Sequence, residues 1–185
     1  MHRVLVGAAC VALVCAAACA SSNKAAPGDG GGGVDAGDEA CVPYVSTANL
    51  TTPVVSFNKD VVPIMQLSCA IAGSTCHGTP DVVSEQRPYL GNSDGGTDAA
   101  EVIEGLINVA STEAPSLKLV VVGSPTTSFL MHKVDWDQCT LATDCASTTT
   151  GYTTCGAGMP YDGNELDVTA RDTIRRWIAQ GARND

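Results

Sequence analysis

The chain is organised around residues 69–78, which read Cys-Ala-Ile-Ala-Gly-Ser-Thr-Cys-His-Gly. A cysteine followed directly by histidine, with a second cysteine shortly before it, is the arrangement that c-type heme attachment uses. The two thiols add to the heme vinyl groups, and the histidine beside the second thiol becomes the proximal iron ligand. The usual separation of two residues is one helical turn, which brings both sulfurs to one edge of the ring. Here six residues lie between Cys69 and Cys76, so double attachment requires a bulged loop. The same spacing suits a disulfide between Cys69 and Cys76 that leaves His77 on an exposed loop.

The N-terminus bears on which chemistry is open to these thiols. Met1-His2-Arg3 precedes an apolar run over residues 4–18, followed by Cys19-Ala20-Ser21-Ser22. One positive charge, a short apolar run and small residues at its end describe an export signal rather than a spanning helix. Ala16-Ala17-Ala18-Cys19 resembles the lipobox of bacterial lipoproteins, in which the cysteine is lipidated and becomes the mature N-terminus. An ordinary secretory signal is the alternative, and both imply export. Residues 1–18 are therefore expected to be a lipoprotein signal peptide and Cys19 a lipidation site. The expected location is a membrane, reached through that lipid anchor, with the domain facing the periplasm or the cell surface, most simply on the outer membrane.

Export permits disulfides. Of nine cysteines, Cys10, Cys15 and Cys19 leave with the signal or the lipid, and six remain: Cys41, Cys69, Cys76, Cys139, Cys145 and Cys155. An even count fits three disulfides, and equally two thioethers with two disulfides. The net charge of −10 becomes −10 − 1 = −11 once Arg3 is removed. A chain this acidic offers no basic patch to nucleic acid or anionic lipid; basic proteins or oxidised small carriers suit it better.

Residues 19–40 are rich in Ser, Ala, Pro, Asp and Gly, including the run Gly30 to Gly33. Such a composition cannot bury enough apolar surface to offset its ordering entropy, so it reads as a flexible tether. Residues 41–185 read as one domain. Residues 58–68 suggest a short helix with Asp60 as N-cap and Cys69 at its end. Asp98 opens a second helix, with Glu101 as capping-box partner and Val102, Ile103, Leu106 and Ile107 on one face. Residues 117–122 suit either a strand or buried extended chain. Ser124 and Pro125 start another helix, with Phe129, Leu130 and Val134 inward.

Residues 137–155 read as a loop stapled by Cys139 with Cys145 or Cys155. The last helix starts at Asp167, turns Ala170, Ile174, Trp177 and Ile178 inward and Arg171, Arg175 and Arg176 outward, and ends at Gly181. Helices with little strand predict an all-α domain.

Met159-Pro160 lies in a Gly- and Pro-containing loop before that last helix, where a thioether could serve as a sixth iron ligand. His132, beside Lys133, reads as a solvated helix residue. Two histidines, a cysteine and a methionine are also blue-copper ligands, but that site belongs to a β-sandwich. No serine–histidine–acid or paired-carboxylate arrangement stands out, so the sequence points to no enzyme.

Taken together, residues 57–182 resemble the cytochrome c-like domains of lipoproteins from myxobacteria and planctomycetes. The matching pieces occur in order: Phe57-Asn58-Lys59-Asp60-Val61-Val62-Pro63-Ile64, Cys76-His77-Gly78, Leu106-Ile107-Asn108-Val109, Val122-Gly123-Ser124-Pro125 with Ser128-Phe129-Leu130, Cys155-Gly156 with Met159-Pro160, and Ile174-Arg175-Arg176-Trp177-Ile178 with Gly181-Ala182. The resemblance implies a small helical cytochrome c domain whose first and last helices pack across each other. It implies heme c attached through Cys69 and Cys76, His77 as proximal ligand and Met159 as distal ligand. The expected function is single-electron transfer with a redox partner protein in the cell envelope. The alternative is a heme-free relative, stabilised by disulfides, acting as an envelope binding or structural module.

Overall fold

The computed structural model describes residues 41–70, 76–78, 88–92, 96–146, 155–161 and 164–185. The expected leader, the expected lipidation site Cys19 and the expected tether lie outside them, as do the middle of the Cys69–Cys76 loop and residues 79–87 and 147–154. Among the described residues the chain is helical, without strands. Val62–Ser68 forms α1, Ala99–Glu104 α2, Phe129–Val134 α3 and Val168–Ala179 α4, with single 3-10 turns at Pro125–Thr127 and Gln138–Leu141.

The first helical segment begins earlier than its sequence suggests. A wide π-helical turn, Phe57–Val61, leads straight into α1, and the cap is Ser56, not Asp60. The reason is a reciprocal cap: Ser56 Oγ accepts from the Lys59 N–H at 3.3 Å, and the Asp60 carboxylate reaches back to the Ser56 N–H at 2.8 Å. The wider turn places that acidic partner four residues on, where a capping box has it at three. At α2, Asp98 caps as its sequence indicates, accepting from the Ala100 N–H at 2.9 Å.

Residues 106–120 follow as an irregular segment folded back on itself, with Leu106, Ser111, Ala114 and Val120 buried. Asn108 donates to Val120 O, Val120 to Leu106 O and Leu119 to Val109 O, pairings that satisfy the backbone without building a sheet. Gly123-Ser124-Pro125 gives one tight turn that ends at Ser128, and α3 starts after it, so the expected single helix is broken in two. Ser128 breaks it by turning its hydroxyl onto the backbone, accepting from Val121 N–H at 2.9 Å and donating to Ser124 O at 2.8 Å.

The main core lies between the first and last helical segments. Phe57 stacks on Trp177 with ring centroids 4.8 Å apart, and both are fully buried with Val61, Met65, Val102, Leu106, Ile174 and Ile178. The C-terminus closes over this contact: Asn58 N–H donates to Asp185 O, and Trp177 Nε1 donates to Arg183 O at 2.9 Å. Gly181, at φ +110°, ends α4 as expected.

Two disulfides hold the periphery, and their pairing corrects the expected staple. Cys139 pairs with Cys41, 98 residues away, while Cys145 pairs with Cys155 across the loop. The staple fails to include Cys139 because Cys139 ends against an N-terminal strap. Residues 41–50 run extended, with Tyr44, Ser46 and Ala48 turned inward and Val42 and Val45 left exposed.

Candidate functional site

Helix α1 delivers Cys69 at its C-cap, where its N–H donates to Met65 O at 2.8 Å. The Cys69 side chain is buried and belongs to the main core with Val61, Met65, Leu90 and Leu106. Burial pushes its thiol up to about 12, and the neighbouring Cys76 thiol adds to the shift. Cys76 and His77 then turn back over α1: His77 N–H donates to Cys69 O at 3.1 Å, and Leu90 N–H donates to His77 O at 2.9 Å. Gly78 makes the turn possible, since a Cβ there would lie 2.7 Å from Ala70 O. Neither Cys69 nor Cys76 takes part in the Cys41–Cys139 or the Cys145–Cys155 disulfide.

The imidazole of His77 places Nδ1 2.8 Å from Pro88 O. A carbonyl can only accept, so the proton of the neutral ring sits on Nδ1 and the lone pair on Nε2. A metal-ligating histidine has this arrangement, its second nitrogen donating to a backbone carbonyl that fixes the ring and raises its basicity. The donor set therefore fits a c-type heme: an oriented imidazole, two cysteines outside those two disulfides, and apolar surroundings at Cys69 for a porphyrin edge. No group of three or more His, Cys, Asp or Glu side chains placed to hold a metal ion occurs among the described residues.

Met159 arrives on a separate loop and is half-buried. Its backbone is tied at both ends: its N–H donates to Lys133 O at 2.7 Å, and its carbonyl accepts from Trp136 Nε1 at 3.0 Å. Thus the structure brings Cys69, Cys76 and His77 together at one turn and presents Met159 from the end of α3.

A buried polar cluster beneath the strap escaped sequence reasoning. Arg171 and Arg175, expected to point outward, are both buried, Arg175 making a bidentate pair with Asp135 at 2.8 and 3.0 Å. Arg171 reaches Asp135 at 3.7 Å and Glu165 at 3.5 Å, and Asp172 lies 3.5 Å from Arg175 Nε. Neither Arg171 Nε nor Arg175 Nε completes a hydrogen bond. The Tyr44 ring covers both guanidiniums, 4.5 Å from Arg171 and 5.2 Å from Arg175, which explains the inward turn: the strap supplies a π-face that desolvates them. Burial pushes the Asp135 carboxyl up to about 6, against the pull of Arg175 and Arg171.

His132 is not solvated either. Its Nδ1 lies 2.7 Å from Asp137 Oδ1, whose second oxygen accepts from the Tyr44 N–H at 2.8 Å. The hydrogen bond that His132 donates to Asp137 raises the imidazole pKa against the opposing effect of burial. The neighbouring Lys133 is buried as well; burial lowers its pKa, and its ammonium bonds Glu113 at 2.7 Å and Cys155 O at 2.8 Å. The Lys133 and Tyr44 contacts carry no sequence signal, because they join residues 20 or more apart in the chain.

Comparison with known proteins adds no relative: no protein-family model, curated protein or solved structure matches the chain.

Proposed function

We propose that the chain is an exported, lipid-anchored c-type cytochrome that carries single electrons within the cell envelope. The observation that carries this reading is the Cys76-His77 turn. There the imidazole is held on Pro88 O at 2.8 Å through Nδ1, with its lone pair on Nε2, at a turn whose backbone is tied to Cys69 O. Further support comes from the stacking of Phe57 on Trp177, which packs the first helical segment against the last as a small cytochrome c domain requires.

In this reading Cys69 and Cys76 would hold heme c covalently, and His77 and Met159 would ligate its iron. Bound heme iron supplies a one-electron couple. Pro88 O holds the His77 ring in one orientation, and the apolar residues around Cys69 exclude water from that edge of the site. The Met159 thioether favours the reduced metal and so raises the potential relative to a nitrogen ligand. No substrate is transformed. The partner is a redox protein of the envelope, basic or carrying a small oxidised centre to suit the acidic chain, and Cys19 links the domain to a membrane.

The test is an absorption spectrum with intact-mass analysis of the protein purified after export. A Soret band and a mass increased by one heme are expected. A heme-free mass with no Soret band would sink the proposal and leave a disulfide-stabilised envelope module.

A further inference from the structure

We propose that Trp136 is the positioning residue for Met159. Five backbone groups in residues 155–159 are each held by the segment that ends α3. Cys155 O accepts from Lys133 Nζ at 2.8 Å, and the Gly158 N–H donates to the Gln138 amide oxygen at 2.9 Å, in the amide orientation that also lets Gln138 donate to His132 O. Met159 N–H donates to Lys133 O at 2.7 Å and its carbonyl accepts from the Trp136 indole at 3.0 Å. The fifth is the Gly158 α-carbon, which lies so close to the indole that a Cβ would come within 2.6 Å of Trp136 Cγ. Trp136 itself sits at φ +56°, a left-handed conformation that a bulky side chain takes only where its surroundings hold it.

The indole thus meets the Met159 loop in two ways at once, with a face against Gly158 and a donor to the carbonyl of the next residue. Fixing both backbone groups of Met159 limits where its side chain can start, which is what a loop-borne thioether needs if it is to meet a metal from one direction. The metal in this inference rests on the cytochrome reading; the clamp on the loop does not.

The experiment uses the full chain exported with methyl-labelled methionine, read by NMR in the reduced state. Met65 and Met131, 1% and 2% exposed in the core, are internal references. Trp136→Phe keeps an aromatic face and removes the donor, and Gly158→Ala pushes the loop off the ring. The wild type is expected to give one sharp Met159 methyl resonance. Both variants are expected to split or broaden it while the Met65 and Met131 resonances stay in place. A single unshifted Met159 resonance in both variants overturns the proposal, as does a parallel shift of all three methyls, which would make Trp136 a general packing residue.

Where the exported protein carries heme, Trp136→Phe should also keep the Soret band, lose the ferric-thioether charge-transfer band and fall in potential. A wild type without heme refutes the cytochrome reading while the methyl comparison still decides the clamp.

Discussion

His132 and Cys69 show how far a side chain's behaviour departs from its residue type once its surroundings are known. Cys69 is a thiol in an apolar core, with its pKa pushed up to about 12, and so it is not a thiolate at neutral pH in the folded chain. His132 has the opposite sense of coupling to pH. Its folded pKa lies above the ordinary 6.5, chiefly through the Asp137 hydrogen bond, so the folded state binds this proton more tightly than the unfolded chain. The stability it contributes is fully present below about pH 6.5 and is lost as pH rises through the folded value. Urea midpoints followed from about pH 5.5 to 8.5 should accordingly fall for the wild type more than for His132→Asn, which has no proton to lose in that range. Equal slopes for the two proteins would show that the pair does not couple to folding.

Helix α4 is where pattern and environment diverge most. Its apolar face, its Asp167 cap and its Gly181 stop are all legible, because each depends on residues close in sequence. The burial of Arg171 and Arg175 is not, because it depends on Tyr44 and Asp135, which lie more than a hundred and about forty positions away in the chain. The Cys76-His77 turn was legible as a motif, whereas the carbonyl that orients it, Pro88 O, and the clamp on Met159 come from segments with no signature of their own.

The buried pair on α4 has a measurable consequence. Removing one partner leaves a buried charge uncompensated, so Asp135→Ala is expected to cost about 3–5 kcal/mol in urea unfolding. Replacing both partners, as in Asp135→Leu with Arg175→Met, should cost clearly less, since the desolvation penalty of the guanidinium disappears with it. A double variant as unstable as Asp135→Ala would mean that the pair itself, and not the orphaned charge, supports the junction of α3 and α4.

At the scale of the molecule, two crosslinks divide the work of holding an irregular chain with short helices. The Cys41–Cys139 bridge closes a loop of 98 residues, joining the strap to the turn after α3, and the Cys145–Cys155 bridge closes one of 10. Loop-closure entropy grows with the logarithm of loop length, so the long bridge constrains the unfolded chain more: about 4–5 kcal/mol against about 2–3 kcal/mol for the short one. The strap adds a native-state term in the same direction, because Tyr44 covers Arg171 and Arg175 and the Tyr44 N–H bonds Asp137. Freeing Cys41 lets water reach that cluster, whereas freeing Cys145 leaves the Lys133 contacts to Glu113 and Cys155 O to hold the Met159 loop. Cys41→Ser with Cys139→Ser should therefore lower the urea midpoint more than Cys145→Ser with Cys155→Ser. The first pair should also make the salt dependence of stability steeper, as charges formerly beneath the strap become screened. If the short-loop pair proves the more damaging, the Met159 loop and not the strap is the main tie of this domain. The clamp at Trp136 would then depend on that disulfide for its footing.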